Sequence, residues 1–582
     1  MKEDSLFKKL FTKLSDIDTL KWILKNAKKQ GWFIALLAFV NSAIACGSIA
    51  ISYMLRNVIN SATGVYGAST DERLDAIFFW GTIFVIITLT QIVSRIISNH
   101  LVFRVTARLT IDIKTSLYRQ MLKKSYAQIT KFHTGEMLNR LNDDVVTVAG
   151  TITSIIPNVV FIIVKLIGIF VVLFTIDPLF TFLFIGVGLG VFIFSSLFKG
   201  AMKNYHKQIM ETDGKIRSFM QETLASLMVI KVFKSEEKVE KTASDLQEIN
   251  YKRKAKRNII SLTTHSAFTL AFNGAYLFGL FYCATKIANN DPFITYGVLS
   301  QVLSLVSQIS VPINSLTSII PTYYSAIASA ERIIELESLD DEPVINDDNL
   351  NISELYENLS TIEFDNISFS YDRDEIFEDT SLTINKGDLV VMTGISGIGK
   401  STLTKLLLGV FPLDSGEIYL KLKDGTTLPV DTNTRKFFSY VPQGNFLLSG
   451  TLRDNISFIN SDATDEEIWR AIRFACADFI AELPKGLDTV IGEKGLGLSE
   501  GQVQRVAIAR AILSDAPVIL LDEATSALDE MTELRLLENI KKLSDKTCIL
   551  ISHKKAANSV CNKEVRIIDK KITVFENEHI GK

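Results

Sequence analysis

Long apolar segments dominate the first 330 residues and alternate with charged stretches. A membrane-spanning helix needs about 20 mainly apolar residues, because each residue adds about 1.5 Å to its length. Six segments satisfy this requirement, and among them Lys165 is the only Asp, Glu, Lys or Arg. They cover residues 31–55, 76–94, 145–176, 178–198, 259–285 and 292–330. The pattern predicts an all-α membrane domain of six spanning helices over residues 31–335, preceded by a cytoplasmic segment, residues 1–30.

Lysine and arginine are distributed unevenly between the connecting loops. Residues 1–30, 95–144 and 199–257 are rich in both, whereas the loops predicted for the opposite side, residues 60–75 and 285–292, contain only Arg73 and Lys286. Cytoplasmic loops retain the positive excess. We therefore expect a multi-pass protein of the cell membrane with both termini in the cytoplasm. The two long cytoplasmic loops have apolar residues at helical spacing, so we expect them to extend the membrane helices.

The character of the chain changes after residue 335. Residues 336–360 are acidic and polar and are interpreted as a linker. From residue 361 to 582, short strand patterns alternate with helical ones, as in an α/β nucleotide-binding domain. We therefore expect a multidomain chain with this second domain in the cytoplasm.

Composition narrows the classes of partner. Hydrophobic residues make up 47% of the 582 residues, and the net charge is -3. Outside the loops of the membrane domain, the chain has no basic stripe of the kind that binds nucleic acid, so we expect no nucleic-acid partner. Its five cysteines are scattered without CxxC spacing, which supports neither a disulfide framework nor a metal cluster.

A glycine-rich segment follows the apolar strand predicted at residues 388–393 and precedes a predicted helix. It matches the phosphate-binding pattern Gly-x-x-x-x-Gly-Lys-Ser. The residues are Gly394, Ile395, Ser396, Gly397, Ile398, Gly399, Lys400 and Ser401. Thr402 follows them and is also expected to contact the nucleotide. Backbone N–H groups and the helix N-terminus would bind phosphates, Lys400 would reach the outer phosphates, and Ser401 would ligate Mg²⁺.

A second apolar strand, residues 517–521, ends in Asp522 and Glu523. We expect a buried strand with exposed terminal carboxylates. Asp522 would hold Mg²⁺, and Glu523 would orient and deprotonate an attacking water, because transfer of a phosphoryl group to water requires both roles. Taken alone, such a strand end is more often an ordinary exposed edge.

Six further segments accompany the phosphate-binding pattern and the strand end at Asp522 and Glu523. They are Tyr371, Tyr440 to Gln443, Gly492 to Gly495, Leu498 to Gln502, Ser526 to Asp529, and His553. The segment Leu-Ser-Glu-Gly-Gln resembles the signature LSGGQ of the ATP-binding cassette family, and the set as a whole resembles that family. Nearly the whole chain resembles its exporter half-transporters, in which six spanning helices precede one cassette.

The resemblance implies a fold, ligands and residue roles. The cassette would be an α/β P-loop ATPase domain with an antiparallel β subdomain and an α-helical subdomain, and it would bind ATP with Mg²⁺. Tyr371 would stack on adenine, Gln443 would contact Mg²⁺ and the attacking water, and His553 would contact the γ-phosphate. Ser499, Gly501 and Gln502 would close over the nucleotide of a second half-transporter. The implied catalytic residues are Glu523, His553, Gln443 and Lys400, and the implied metal ligands are Ser401, Gln443 and Asp522.

Two positions depart from the family pattern. Glu500 replaces a signature glycine and adds a carboxylate beside a phosphate-binding surface, where like charges repel. Ile398 is larger than the residue common at its position, but the backbone N–H is the binding group, so we expect little effect.

The sequence leaves alternatives open for the function, for the partner subunit and for the role of Lys165. The main hypothesis is ATP-driven export of an amphipathic small molecule, peptide or lipid, and the alternative is a non-transporting, ATP-sensing regulatory subunit. The partner is a second copy or a different half-transporter, and the complete set of catalytic residues favours a homodimer. Lys165 either contacts an anionic part of the substrate or is satisfied by neighbouring helices.

Overall fold

The computed structural model of the protein describes residues 17–65, 69–343, 351–371, 374–395, 397–444, 447–492, 495, 497–543 and 545–576. These residues form two compact units. The first contains the chain up to Arg119 together with Gly135–Glu337. The second contains Gln120–Thr134 and the chain from Ser338 onward. The second unit is therefore built from two separate stretches of sequence.

Six helices in the described part of the chain exceed 30 residues. They are α1 (Gly31–Ala62), α2 (Thr70–Met121), α3 (Val145–Ile176), α4 (Pro178–Ala225), α5 (Glu236–Ala288) and α6 (Tyr296–Glu337). At about 1.5 Å per residue, the 53 residues of α5 extend about 80 Å, more than twice a hydrocarbon core of about 30 Å. The long loops thus continue the membrane helices, as their apolar spacing predicted.

Local chemistry determines where α4 begins. Asp177 is the single residue between α3 and α4. The Oδ1 atom of Asp177 accepts a hydrogen bond of 3.0 Å from the backbone N–H of Phe180. Pro178 then occupies the first helical position, where its missing N–H costs nothing. An N-cap followed by proline therefore turns the chain sharply between two long apolar helices.

Among the residues that the structure describes, four helical segments combine the length and hydropathy of a membrane span: Gly31–Ala62, Thr70–Met121, Thr134–Ile176 and Glu236–Ala288. In Thr70–Met121 no residue of the most apolar 18-residue window is buried. Large side chains there, including Phe78, Ile86 and Ile96, are exposed. Such a surface favours hydrocarbon over water. The total of six spans stays a prediction.

Within the first unit, α3 packs against α1 and α6, and α4 packs along α5. Ile169 and Leu173 of α3 are fully buried and join Val302 and Leu305 of α6 in one apolar cluster. Lys165, one turn before Ile169, is 7% exposed. The charge that interrupts the third apolar segment thus lies inside the helix packing.

The described residues of the second unit form three sheets. An antiparallel sheet has the order β2-β1-β4-β5, and a larger sheet has the order β12-β11-β3-β10-β9-β6. A two-stranded sheet pairs β7 with β8. The strands are β1 (Leu359–Tyr371), β2 (Asp374–Asn385), β3 (Leu389–Thr393), β4 (Ser415–Leu422), β5 (Thr427–Pro429), β6 (Phe438–Val441), β7 (Gly450–Thr451), β8 (Val490–Ile491), β9 (Val518–Asp522), β10 (Thr547–Ile551), β11 (Lys563–Ile568) and β12 (Lys571–Glu576).

In the larger sheet, β11, β3, β10, β9 and β6 are parallel. The α-helices described in this unit from Ser338 onward are α7 (Ile352–Asn358), α8 (Lys400–Leu407), α9 (Leu452–Ile456), α10 (Asp465–Phe474), α11 (Glu500–Leu513), α12 (Glu530–Lys541) and α13 (Lys555–Val560). Helices α9, α10 and α11 contact one another and share a buried core with β9 and β10. The second unit thus has the predicted α/β core, antiparallel sheet and helical part.

The stretch Gln120–Thr134 joins the second unit by backbone and side-chain bonds. Glu342 N donates to Lys123 O at 2.8 Å, and Ser125 N donates to Asp340 O at 3.0 Å. The buried Lys124 ammonium lies 2.7 Å from the Asp341 carboxylate. This stretch and residues 339–342 therefore form one backbone-paired element of the second unit.

Candidate functional site

Four predicted functional segments lie at the same edge of the larger sheet. The phosphate-loop segment follows β3, and His553 follows β10. Asp522 ends β9 with Glu523 directly after it, and Gln443 follows β6. These strands are parallel neighbours, so their carboxyl ends meet at one edge. Ligands of open α/β sheets bind at this edge.

The loop after β3 has the backbone conformation expected for phosphate binding. Gly397 and Gly399 have φ values of +85° and +110°, which residues with a Cβ rarely adopt. A Cβ on Gly399 would also lie 2.5 Å from Ile376 Cγ2. Gly399 caps α8, so the helix N-terminus opens onto the loop. Ser396 lies outside the described residues.

Lys400 is held inside this loop. It is 5% exposed, and its Nζ donates to Gly394 O at 2.9 Å and to Ile395 O at 3.0 Å. Burial lowers its pKa, whereas the nearby Glu523 and Asp522 carboxylates raise it. Thr402 is buried in α8 and Ile398 is half-buried. The loop therefore positions one ammonium beside the N-terminus of α8.

The prediction that both carboxylates at the end of β9 are exposed is wrong for Asp522, which is 1% exposed. Asp522 still pairs with Ile551 of β10, so it lies within the sheet rather than beyond it. Ser401 Oγ donates to its Oδ1 at 3.0 Å, and the Tyr440 hydroxyl donates to its Oδ2 at 3.2 Å. Burial raises the pKa of Asp522, and the two hydroxyls oppose that shift.

The chemistry of this pair fits Mg²⁺. Magnesium in nucleotide sites is held by one or two protein oxygen ligands together with substrate phosphates and water. Ser401 and Asp522 supply a hydroxyl and a carboxylate in contact with each other. No group of three or more His, Cys, Asp and Glu side chains suited to a metal occurs in the described residues, so a cage made of protein ligands alone is not indicated there.

Glu523 is the centre of the predicted catalytic group. Its Oε2 accepts a hydrogen bond of 2.7 Å from Gln443 Nε2, and its Oε1 lies 3.4 Å from His553 Nε2. Its φ of +50° is left-handed, which costs a non-glycine residue roughly 1–2 kcal/mol. The structure brings together three residues that the sequence separates by up to 110 positions, in a backbone conformation that must be maintained by neighbouring contacts.

Tyr371 belongs to a cluster of aromatic rings. Its ring centroid lies 4.8 Å from that of Phe369 and 5.4 Å from that of Phe411, both in edge-on geometry. Phe411 is also edge-on to Tyr126 at 5.8 Å. Sequence analysis did not identify Phe411 or Tyr126, because no motif spacing links them to Tyr371.

The signature segment begins α11. Ser499 Oγ accepts from Gln502 N, and Gln502 Oε1 accepts from Ser499 N at 2.8 Å, which forms a capping box. A Cβ on Gly501 would lie 2.7 Å from Ala527 O. Glu500 is the exposed first residue of the helix. Ser499 and Gly501 thus contact their own helix and the segment after Glu523.

Two family models match the chain in consecutive segments. The ABC transporter transmembrane region matches residues 32–313, and the ABC transporter model, which describes the ATPase domain, matches residues 377–526. The chain belongs to the ABC transporter family. It is a half-transporter of the exporter type, with a membrane domain fused to one ATP-binding cassette, and it is an ATPase coupled to transport.

Relatives support the same assignment. The chain is 29% identical to an ATP-dependent lipid A-core flippase of Syntrophus aciditrophicus over 77% of this chain and 74% of that protein. It is 26% identical to an ATP-dependent lipid A-core flippase of Francisella tularensis subsp. holarctica over 95% and 90% of the two chains. The structure of a bacterial Atm1-family ABC exporter with ATP bound has the same fold, with a TM-score of 0.77 and 22% identity over 94% of both chains.

Proposed function

We propose that this half-transporter dimerises and couples ATP hydrolysis to export of an amphipathic small molecule, peptide or lipid across the cell membrane. The observation that carries this proposal is the position of Glu523, between Gln443 and His553 and next to the buried Asp522. A subunit that only sensed ATP would not require this constellation. Both termini and the cassette would lie in the cytoplasm, as the uneven distribution of lysine and arginine indicates.

Each side chain has a distinct part in the reaction. Lys400 and the N–H groups around Gly397 and Gly399 bind and orient the phosphates of ATP. Mg²⁺, when held by Ser401, Asp522 and Gln443, supplies positive charge to the phosphate oxygens. Glu523 accepts a proton from the water that attacks the γ-phosphorus, so the proton moves to its carboxylate as the new P–O bond forms and the bond to ADP breaks.

The remaining side chains orient Glu523 and the nucleotide. The Gln443 amide fixes the Glu523 carboxylate by donating to Oε2. His553 lies close to the other carboxylate oxygen of Glu523 and would contact the γ-phosphate when Glu523 holds the water. Tyr371 supplies an aromatic surface for adenine, supported by Phe369 and Phe411.

A second subunit would complete the ATP site. Ser499, Gly501 and Gln502 would close over the nucleotide of the partner, with Glu500 at the same surface. A homodimer is favoured because the chain supplies every catalytic residue, so two copies give two competent sites. The size and subunit composition of the detergent-extracted complex test this assignment, and a complex that always contains a different half-transporter would refute it.

The substrate class that we propose is an anionic amphipathic lipid. Lys165 is 7% exposed, and its ammonium lies 5.4 Å from the Phe161 ring. In the described part of the chain it forms no ion pair, and an unpaired intramembrane charge is costly unless it serves a pathway. Two relatives are named as lipid flippases. Lys165→Ala should reduce transport of anionic lipids in vesicles and leave transport of neutral lipids unchanged.

The decisive experiment compares the wild-type protein with Glu523→Gln in lipid vesicles. Wild type should hydrolyse ATP and transport substrate, whereas Glu523→Gln should bind ATP and show at least a hundredfold lower turnover. The amide is isosteric but cannot accept the proton. Near-zero hydrolysis by wild type with intact ATP binding would refute the exporter proposal and favour an ATP-sensing regulatory subunit.

A further inference from the structure

Residues 524–528 form a loop directly after Glu523, and both ends of it are bonded to other elements. Within the loop, Ser526 N donates to Glu523 O at 3.1 Å, and Leu528 N donates to Thr525 O at 3.2 Å. Before it, Glu523 N donates to Ile551 O of β10 at 3.1 Å. The left-handed backbone of Glu523 is therefore continuous with a short turn, and a displacement of that turn would change the direction of the carboxylate.

Lys554 contacts this loop from one side. Its Nζ donates to Thr525 O at 2.9 Å and to Leu528 O at 3.0 Å, and it lies 3.1 Å from Glu533 Oε2. Glu533 is 2% exposed, and its Oε1 accepts a hydrogen bond of 2.9 Å from Thr525 Oγ1. One ammonium thus bridges both ends of the loop and a buried carboxylate.

Gln504 also contacts the loop. Its Nε2 donates to Ser526 Oγ at 2.9 Å, and its Oε1 accepts from Ala527 N at 3.1 Å. Gln504 is itself buried on α11, the helix that begins with the signature segment. The loop is therefore fixed by a side chain from the signature helix and by the residue that follows His553.

We propose that Lys554 is a positioning residue for ATP hydrolysis. By holding loop 524–528 against Glu533, it maintains the left-handed conformation of Glu523 and keeps that carboxylate beside His553. Lys554 adjoins His553 in the chain, so the same contact joins the two segments that meet at the γ-phosphate. This inference rests on the proposed role of Glu523 as the base.

The physical reason is the number of bonds that depend on one charge. Without the ammonium, Leu528 O loses its side-chain donor and Thr525 O keeps only the bond from Leu528 N. The buried Glu533 carboxylate keeps the hydrogen bond from Thr525 Oγ1 but loses its cation, and a buried carboxylate without a cation favours rearrangement of its surroundings. Among the described residues, the Lys554 ammonium forms no hydrogen bond or ion pair with the phosphate loop or with Tyr371. Its loss should therefore change the rate of hydrolysis and leave nucleotide affinity intact.

The test uses the full-length protein in lipid and compares Lys554→Met with Lys546→Met. Lys546 is a matched control, because it also bridges a carboxylate and a backbone carbonyl, Asp515 at 2.6 Å and Ala516 O at 3.1 Å, away from Glu523. Lys554→Met should lower kcat at least tenfold and change the KM for ATP less than twofold. Lys546→Met should match wild type, and Lys554→Arg should recover part of the rate.

A double substitution separates positioning from general damage. In a Glu523→Gln background, Lys554→Met should cause no further loss of the residual rate, because it acts through Glu523. An equal, multiplicative loss in both backgrounds would overturn the proposal, and so would wild-type turnover in Lys554→Met or a parallel loss of ATP affinity.

Hydrogen exchange supplies a readout that does not require activity. Amides of residues 523–528 should exchange faster in Lys554→Met than in wild type or Lys546→Met. Unchanged exchange would refute the positioning role even if the wild-type protein proved inactive. Absence of wild-type hydrolysis with faster exchange in Lys554→Met would instead refute the proposed function alone.

Discussion

Asp522 provides the sharpest test of the site, because substitution there should change stability and activity in opposite directions. Asp522→Asn removes a buried charge while preserving shape. Ser401 and Tyr440 contact the carboxylate through hydroxyl groups, which can donate to the amide oxygen or accept from the amide nitrogen. Both contacts are therefore compatible with asparagine, and the nucleotide-free protein should become more stable.

The expected gain in stability is the difference between two opposing free energies. Burial of an ion costs several kcal/mol, and two charge-assisted hydrogen bonds of about 1.5–3 kcal/mol each offset most of that cost. Removal of the charge should then stabilise the nucleotide-free protein by about 1–2 kcal/mol. For a unit of 150–250 residues, this corresponds to a rise in Tm of roughly 2–8 °C.

The effect should depend on pH with a defined sign. Burial raises the pKa of Asp522 in the folded protein, so folding favours its protonated form. Its contribution to stability is greatest below the ordinary carboxyl pKa and is lost as pH rises through the folded-state pKa. The difference in Tm between Asp522→Asn and wild type should therefore be smallest below the ordinary carboxyl pKa and widen as the pH rises through the folded-state pKa of Asp522.

The assay is thermal unfolding without nucleotide, alongside hydrolysis of Mg-ATP. Asp522→Asn should raise Tm and lower hydrolysis at least a hundredfold. Asp424→Asn is the matched control: its fully exposed carboxylate accepts from Thr426 N, which lowers the pKa of Asp424, so that variant should show no rise in Tm and full activity. A lower Tm for Asp522→Asn, or hydrolysis at the wild-type rate, would refute the assigned environment and role.

Other substitutions test the geometry around the nucleotide. Gly399→Ala should weaken ATP binding at least tenfold in an equilibrium assay, since it adds a steric clash to a positive φ, whereas Gly425→Ala, with positive φ and no neighbour within 4 Å, should bind ATP normally. Gly501→Ala should lower hydrolysis at least tenfold without loss of ATP binding, because its Cβ would displace Ala527 O; normal turnover would contradict this. Phe411→Leu should raise the KM for ATP several-fold and leave kcat unchanged, because it removes an edge-on contact of Tyr371; an unchanged KM would contradict the assigned support.

Much of this organisation is readable from the sequence because it is local. Apolar length predicts the long helices, and the phosphate loop occupies consecutive residues whose backbone conformation depends on nearby glycines. The strand that carries Asp522 was also identified, but the burial of that residue was not, since its cover comes from Ser401 and Tyr440, which lie 121 and 82 residues away in the chain.

The contacts that escaped sequence analysis share this non-local origin. Phe411 supports Tyr371 from 40 positions away, and Lys554 reaches Thr525 from 29 positions away. Neither a phenylalanine nor a lysine in isolation indicates such a role. Their positions depend on which strands are neighbours in the sheet, and periodicity and motif spacing do not determine that order.

The pairing of residues 120–134 with residues 339–342 has a consequence for recombination between transporters. An exchange of cassettes that transfers only residues 338–582 would place a foreign sequence opposite Lys123, Lys124 and Ser125. The backbone bonds could reform with any sequence, but the ion pair between Lys124 and Asp341 and the ring contact between Tyr126 and Phe411 would be retained only by compatible side chains. The ATP-binding cassette of this protein is thus encoded by two separate gene segments, and functional chimeras should require both segments from the same parent.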